Sequence, residues 1–475
     1  MGAHPSRPSE SQEQDLKDRL DILAAEAARL ISEADIFLLC TGAGFSADSG
    51  LAIYADVAKV PAYSQRDLEY HDICKPHWLE REPALFWGFW GQCYNDYRDT
   101  PPHEGYEIIN SWVDRWFRAS SAANVIRAQL ADYALASTDA AGCEDGAGMS
   151  SADEPYRVTD HAGAFFVFTS NVDAHHFDWF RACEIRECHG NTEIYQCGAD
   201  RGCSGVWRAP LDFRFVVDKT TMMAPADLEK EGSGRLDADA LTDHNIKLAA
   251  ADAEQSTQAT QSSEAEPQDV AAPRVGCVRG GGRKTLLRHM PGSPASAAEA
   301  GFARNHPVCP KCGGPARPAI LMFADGDWQD VDSQENRYND WCRSVCALAK
   351  QRSSAEKPLR VTILEIGAGN NVTTVRSTSE SRLRNFLDSG ADARLVRVNP
   401  DFPLGDLEDY APGGRSDDRV ISLMGRGLDC IRRIQAAMDA AKNPVAASPP
   451  SQVAMEAAKD PAESLPEPKV ALEEE

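Results

Sequence analysis

Short apolar runs that end in small or polar residues recur along the chain. They lie at 36–40, 163–173, 360–374, 393–399 and 420–427. Apolar runs without polar alternation are typical of strands that are buried on both faces of a parallel sheet. Before the first of them, residues 12–33 carry apolar side chains at helical spacing, which predicts an amphipathic helix. The pattern therefore predicts an α/β fold with a parallel sheet.

A glycine-rich turn directly follows the first predicted strand. It reads Gly42-Ala43-Gly44 and is followed by Ser46 and, a turn later, by Gly50. Glycine lets a backbone approach a ligand closely and adopt positive φ. In α/β proteins such a turn presents backbone N–H groups to a phosphate, although a simple tight turn between strand and helix has the same pattern. The turn is therefore a candidate phosphate-binding loop.

Aromatic residues are dense after this turn, between Trp78 and Trp90. They are consistent with the lining of a pocket beside the glycine-rich turn or with the core of a small helical subdomain. Both interpretations stay open at the level of sequence, because aromatic side chains serve either purpose.

Two cysteine pairs have spacing that is typical of metal ligands. Cys309 and Cys312 lie in CPKCGG, and Cys197 and Cys203 precede them with a wider gap. Two such pairs predict a structural zinc site with four thiolate ligands, which leaves no open position for water. Because the first pair is loosely spaced, Cys188 and Cys277 are alternative ligands.

Composition and charge argue against several classes of protein. A net charge of −24 over 475 residues argues against direct nucleic-acid binding. Fourteen cysteines in a chain of this length do not indicate a disulfide framework. No apolar run is long enough for a transmembrane helix. Segments of low complexity, which we expect to be disordered or flexible, lie at 1–11, 138–156, about 225–300 and 441–475.

Five short motifs follow one another in a fixed order. They are GAGFSADSG at 42–50, TSNVD at 169–173, HG at 189–190, the two cysteine pairs, and RPAILMFAD at 317–325. Together they resemble the sirtuins, a family of NAD-dependent protein deacylases, over residues 34–433. The resemblance implies a Rossmann-like parallel sheet with a smaller zinc-binding and helical module. It assigns residues 12–57, 160–196 and 318–440 to the sheet domain, 58–159 to the helical module and 197–317 to the zinc module.

The resemblance also implies an NAD site and a catalytic histidine. His189 matches the catalytic histidine of the family, and an unperturbed pKa of ~6.5 suits proton transfer near neutral pH. In the family, the residues at Asn171 and Asp173 bound the nicotinamide pocket, and the residue at Asn399 holds the adenosine ribose. The implied NAD-binding residues are Gly42, Ala43, Gly44, Ser46, Gly50, Tyr54, Ser170, Asn171, Val172, Asp173, Gly367, Ala368, Gly369, Asn399 and Gly427.

Several residues depart from the family pattern. Ser170 replaces a glutamine, Ala368-Gly369 replaces a Thr-Ser pair, and Ile53 and Ala55 replace an aspartate and an arginine on either side of Tyr54. Each replacement removes a polar contact that the family uses. Three functions therefore stay open: a lysine deacylase that forms nicotinamide and acyl-ADP-ribose, an ADP-ribosyltransferase or NAD hydrolase, and a non-catalytic NAD-binding protein.

The resemblance implies an acyl-lysine protein or peptide as substrate, bound along the strand at 317–325 by β-augmentation. NAD and one structural zinc ion are the implied cofactors. Because the chain begins without a hydrophobic leader, we expect cytoplasmic or nuclear localisation. Gly2 and Ser6 fit the loose pattern for N-myristoylation, which would add a membrane tether.

Overall fold

The computed structural model describes residues 7–52, 60–141, 158–200, 202–226, 287–292 and 295–442, with side chains omitted at 136–141. Within these ranges, no helix is both long and apolar enough to span a membrane. Predictions for Tyr54 and its neighbours, for Gly2 and Cys277, and for all of 142–157, 227–286 and 443–475 lie outside the described residues.

A six-stranded parallel sheet forms the centre of the fold. Its strands are β1 (Ile36–Thr41), β2 (Phe165–Thr169), β3 (Ile185–Glu187), β7 (Arg360–Ile366), β8 (Asp392–Val398) and β9 (Val420–Leu423). Their order is β3-β2-β1-β7-β8-β9, and every neighbouring pair is parallel. The chain order reverses at β1, as in a Rossmann fold, and ligands bind at such switch points beyond the carboxyl ends of the strands. The prediction of a Rossmann-like parallel sheet is confirmed.

Twelve helices surround the sheets in the described ranges. They are α1 (Glu10–Asp18), α2 (Leu20–Glu33), α3 (Ala43–Ala47), α4 (Pro61–Ser64), α5 (Tyr70–Ile73), α6 (Trp78–Arg81), α7 (Pro83–Asp99), α8 (Glu104–Trp116), α9 (Ser121–Ala141), α10 (Asp332–Ser354), α11 (Thr374–Asp388) and α12 (Gly427–Lys442). Short 3₁₀ turns occur at His175–Asp178, Ala182–Glu184 and Asp417–Arg419. Helix α11 packs on β7 and β8, and α2 packs against α12 and β9.

The helix predicted over 12–33 is in fact two helices that meet at Arg19, which has φ −96° and ψ 4°. Helix α1 buries none of its side chains, whereas α2 buries a stripe that includes Leu23, Ala27 and Ile31. Leu16 of α1 is only partly buried against the core, so the second half of the amphipathic pattern supplies the fully buried contacts.

A smaller antiparallel sheet carries a second hydrophobic core. Its strands are β4 (Gly190–Cys197), β5 (Val206–Arg208) and β6 (Ala316–Ile320), in the order β5-β4-β6. Trp87 of α7 stacks on Phe215 with ring centroids 5.0 Å apart, and both belong to this core together with Tyr195 of β4. Most of the aromatic segment after the glycine-rich turn is thus core of the smaller module, although Trp90 also lines a cavity.

Helices α8 and α9 belong to the core of the large sheet. Tyr106, Trp112 and Ile126 are buried in that core and not in the core of the smaller module. The predicted helical module, 58–159, is therefore shared between the two cores: its first helices, α4 to α7, pack with β4 to β6, and its last two pack on the large sheet.

A network of buried charged side chains connects β7, β8, α11 and the loop after β8. Arg397 of β8 lies 2.7 Å from Glu365 of β7 and 2.9 Å from Glu380 of α11. Arg376 of α11 lies 2.6 Å from Asp406, which follows β8. All of these side chains are buried or nearly so. Removing one partner would leave an uncompensated buried charge, so the network holds the loop after β8 against β7 and α11.

Candidate functional site

Two glycine turns meet at the carboxyl ends of β1 and β7. The Gly44 N–H donates to the Gly367 carbonyl across 2.9 Å. A Cβ on Gly42 would lie 2.8 Å from the Ala368 Cα, and Gly367 has φ +65°. Glycine is therefore required at these positions because the two backbones are in contact. The approach of these turns explains why the sequence places glycine after both strands.

A polar cluster lies beside these turns. Asn171 Nδ2 donates to the Ser46 hydroxyl across 2.9 Å, and that hydroxyl donates to Asp173. All three side chains are buried. Burial opposes the charge of Asp173, but His175, His176 and the hydrogen bonds outweigh it and hold the pKa of this carboxyl below its usual value. Strands β1 and β2 are neighbours, which explains why residues 46 and 171–173 converge.

Asn171 has one buried group without a partner among the described residues. Its Oδ1 atom is shielded from solvent and accepts no hydrogen bond. Buried polar atoms are usually satisfied, and an exception at the end of a parallel sheet is what a polar ligand would complete. The cluster thus has the character of a binding site and not of a closed structural network.

His103 fixes the helix that follows the first glycine turn. Its Nδ1 accepts from the Gly105 N–H at 3.0 Å, so Nε2 carries the proton that is donated to the Phe45 carbonyl at 2.9 Å. Its own N–H donates to the Ser49 hydroxyl at 3.0 Å. Burial lowers the pKa of His103, which keeps the ring neutral. Sequence reasoning missed this residue as part of the site, although a histidine directly before a helix is the available signal.

His189 lies between β3 and β4, close to the end of β2. Burial, and then the nearby charge of Arg186, lower the pKa of its imidazole to about 4, while a hydrogen bond to the backbone of Ser170 opposes this change. The ring is therefore neutral at physiological pH. A neutral imidazole that donates one N–H keeps its other nitrogen as a proton acceptor.

A cavity of about 430 Å³ opens beside His189. Its other lining residues are Tyr70, Cys74, Trp90, Val172, Ile320, Leu321, Met322, Phe323, Ala324, Asp325, Val372 and Thr374. Ala324 has φ +55°, a left-handed conformation that glycine adopts more easily than alanine.

A second, much smaller pocket of about 40 Å³ contains the polar cluster. It is lined by Ser46, Asn171 and Asp173 and shares Tyr70, Trp90 and Val172 with the larger cavity. The shared residues form a partition, which we call the aromatic wall: Tyr70, Trp90 and Val172. The sequence predicts Val172 at this site and leaves a pocket lining open for the segment that contains Trp90, whereas Tyr70 reaches the wall through tertiary folding alone.

The other predicted cofactor residues lie around the same edge of the large sheet. Asn399 Nδ2 donates to the Ala368 carbonyl at 2.8 Å. Gly369 has open space where a Cβ would stand, and Gly50 has φ +91°. A Cβ on Gly427 would meet Ile366 at 2.8 Å, so this glycine serves the packing of α12. These residues follow β1, β7, β8 and β9 and so share the carboxyl edge of the sheet.

Three further residues near the site are Ala43, Ser170 and Asp48. Ala43 lines the small pocket, and the Ser170 N–H donates to the Thr41 carbonyl at 3.1 Å. Asp48 accepts from the Leu428 N–H at 2.7 Å and joins the glycine turn to α12. Tyr54 lies outside the described residues, as do Ile53 and Ala55.

The four predicted cysteine ligands converge. Sulfur atoms of Cys197, Cys203, Cys309 and Cys312 all lie within 4.8 Å of one another, and those of Cys197 and Cys312 are 3.7 Å apart. Cys188 is not a member of this group. Four thiols that converge in this way are compatible with a tetrahedral zinc site.

No protein-family model and no curated protein matches this chain. Solved structures that are similar include a Sir2 homologue in complex with NAD, at 13% identity and a TM-score of 0.41, covering 87% of this chain and 94% of that chain. Another is Sir2Tm bound to a propionylated peptide, at 14% identity and a TM-score of 0.36, covering 86% of this chain and 96% of that chain.

Proposed function

We propose that this protein is an NAD-dependent protein-lysine deacylase of the sirtuin type. One observation carries the proposal: the cavity beside His189 and the polar pocket of Ser46, Asn171 and Asp173 are separated only by the aromatic wall. A deacylase of this type needs an acyl-lysine and a nicotinamide ribose side by side, with a proton acceptor next to them.

The residues present fit NAD. The unpartnered Oδ1 of Asn171 would accept a hydrogen bond from the amide of nicotinamide. Backbone N–H groups of the two turns other than those of Gly42, Gly44 and Gly367, which donate within the protein, would be offered to a diphosphate, and Asn399 lies beside them through Ala368. When bound, NAD supplies the ribose carbon that takes the acyl oxygen, with nicotinamide as the leaving group.

This chain's own residues would perform three tasks. Ser46, Asn171 and Asp173 would hold the nicotinamide end in place. The aromatic wall and the apolar side of the cavity would exclude water from the reacting atoms. His189, neutral because burial lowers its pKa to about 4, would accept a proton from a ribose hydroxyl while Ser170 orients its ring.

We also propose that zinc bound by Cys197, Cys203, Cys309 and Cys312 is structural. Four thiolates fill a tetrahedral shell and leave no position for a reacting water. The ion would link β4 to the segment that leads into β6.

A non-catalytic NAD-binding protein is the second candidate. The observation that favours it is the pair Ala368 and Gly369, which have no side-chain hydroxyl to offer beside the glycine turns. If the missing contacts act mainly in the transition state, their loss slows the reaction more than it weakens the binding of NAD.

Nicotinamide release from NAD tests these candidates. We expect release only when acyl-lysine peptides are present, and none from His189→Ala. The matched control is His77→Ala, because His77 is exposed and lines neither cavity. Release without peptide would instead indicate ADP-ribosyl transfer or NAD hydrolysis. NAD binding without any release, in protein that melts normally, would support the non-catalytic candidate.

A further inference from the structure

The cavity beside His189 has an apolar lining on most sides. The side chains of Ile320, Met322 and Trp90 are almost fully buried around it, and Phe323 and Val372 complete the surface. Apolar walls of this kind gain free energy when they cover methylene groups and lose it when they cover a polar group without a partner.

No lysine or arginine lines this cavity among the described residues. Its one carboxylate, Asp325, is held by two hydrogen bonds from Arg317, at 2.6 and 2.8 Å. Arg317 is itself buried, and both of its terminal nitrogens donate to Asp325. His189 also stays neutral, because burial lowers its pKa to about 4. A negative group on a ligand would therefore enter without a cation to meet it.

The cavity is larger than an acetyl group requires. Its volume of about 430 Å³ lies in the range of pockets that hold small organic ligands, roughly 300–1,000 Å³. An acetylated lysine would leave part of the apolar lining uncovered. Additional methylene groups would cover it and would bind more tightly for that reason.

Trp90 contributes to the aromatic wall a buried N–H that a ligand could satisfy. The indole Nε1 of Trp90 is buried and has no acceptor among the described residues. Because buried donors are usually satisfied, an acceptor oxygen is the group that a ligand would bring here. The carbonyl of an amide-linked acyl chain supplies such an oxygen.

Building on the proposed deacylase function, we infer that this cavity selects lysines that carry neutral aliphatic acyl groups longer than acetyl and rejects dicarboxylic acyl groups. The deciding features are the absence of a free cation in the described lining, the engagement of Arg317 by Asp325, and the apolar surface beyond the aromatic wall.

Direct binding tests this inference without requiring turnover. One peptide is prepared with acetyl-, butyryl- or succinyl-lysine, and its binding to the full chain is measured by fluorescence polarisation without NAD. Butyryl and succinyl differ mainly in a terminal methyl group against a carboxylate. We expect butyryl to bind about tenfold more tightly than acetyl, because two more methylene groups are buried. We expect succinyl to bind at least a hundredfold more weakly than butyryl.

A charge-introducing variant sharpens the test. Val372→Arg places a cation at the cavity, with Val372→Leu as its matched control. Val372→Arg should gain binding of succinyl-lysine at least tenfold, and Val372→Leu should not; thermal melting verifies that both variants fold. Equal binding of succinyl and butyryl to the natural chain, or no binding of any acyl peptide, would overturn the inference. If butyryl binds selectively but no peptide releases nicotinamide, the inference holds and the proposed deacylase function fails.

Discussion

Asn171 reaches across from the end of β2 to donate a 2.9 Å hydrogen bond to Ser46 in the helix that follows β1. The Ser46 hydroxyl in turn donates to Asp173, so this one hydroxyl links two side chains that follow the neighbouring strand. This arrangement keeps the amide of Asn171 oriented, with its Oδ1 atom left for a ligand.

Replacing Ser46 by alanine should therefore disturb the pocket strongly. Ser46→Ala removes the partner of both Asn171 and Asp173, and a lost hydrogen bond to a charged group costs about 1.5–3 kcal/mol. We expect nicotinamide release to fall by roughly 10- to 150-fold. Ser49→Ala is the control, since Ser49 only accepts from the His103 backbone. Equal rates for the two variants would contradict the role of Ser46.

Glycine positions in the two turns should respond in opposite ways to an added side chain. Gly369 has open space around its would-be Cβ, so Gly369→Ser should fold normally and bind NAD at least as tightly through the new hydroxyl. A Cβ on Gly44 would lie 2.7 Å from the Gly367 Cα, so Gly44→Ser should lose about 1–3 kcal/mol of stability and its NAD binding. Thermal melting and NAD titration distinguish the outcomes. Equal melting temperatures would argue against the contact between the turns.

Ala324 should be a site where glycine stabilises the protein. Its φ of +55° strains an alanine but not a glycine. We expect Ala324→Gly to raise the free energy of unfolding by about 0.5–1 kcal/mol, after the entropy of glycine in the unfolded chain is taken into account. The converse control is Gly413→Ala, at φ +83° with no neighbour within 4 Å, which should lose a similar amount. Urea denaturation measures both, and a loss at Ala324→Gly would contradict the prediction.

Glu187 should make stability depend on pH. Burial, with a smaller contribution from Asp173, raises the pKa of this carboxyl to about 8. Between its unfolded value of about 4.5 and 8, the folded protein holds a proton that the unfolded chain has lost, so stability falls as the pH rises through this window. Glu187→Gln, which mimics the protonated form, should lose this dependence.

Urea denaturation at several pH values between 5 and 8.5 measures the slope for Glu187→Gln. The control, Glu107→Gln, changes an exposed carboxyl on α8 and should keep the slope of the natural chain. If the natural chain and Glu187→Gln have parallel profiles, Glu187 does not hold its proton when the protein folds.

The cysteine cluster predicts a metal requirement for stability. We expect about one zinc ion per chain by mass spectrometry, lost on treatment with a chelator together with a fall in melting temperature. Cys309→Ser should reproduce this loss. Cys346→Ser should not, because the half-buried Cys346 lies outside the cluster. A chain that melts at the same temperature with and without chelator would contradict a structural ion.

The strand positions could be predicted from sequence because apolar runs encode them locally, whereas the residues of the polar cluster were named through the resemblance to a family. Apolar runs define the strands, and the residues after β1 and β2 must meet when these strands are neighbours. The cysteine pairs are likewise encoded by their spacing. For the strands and for each cysteine pair, a few neighbouring residues contain the signal.

Other parts of the site depend on packing over long distances. Tyr70 and Trp90 reach the aromatic wall only because the smaller module packs beside the large sheet, and no local pattern states this. Helices α8 and α9 have ordinary amphipathic sequences, which do not specify the core that will accept them. The break at Arg19 lies inside a continuous helical pattern, which does not reveal it.

The hydrogen bond between Gly44 and Gly367 has a consequence for the order of folding. It joins turns that are 323 residues apart in the chain (367 − 44), on neighbouring strands whose pairing is entirely non-local. Closing so long a loop is slow, and contacts of this kind form late in folding. The two glycine turns at the binding site therefore meet only after β7 has paired with β1. During refolding, the appearance of ligand binding there would therefore report that β7 has paired with β1.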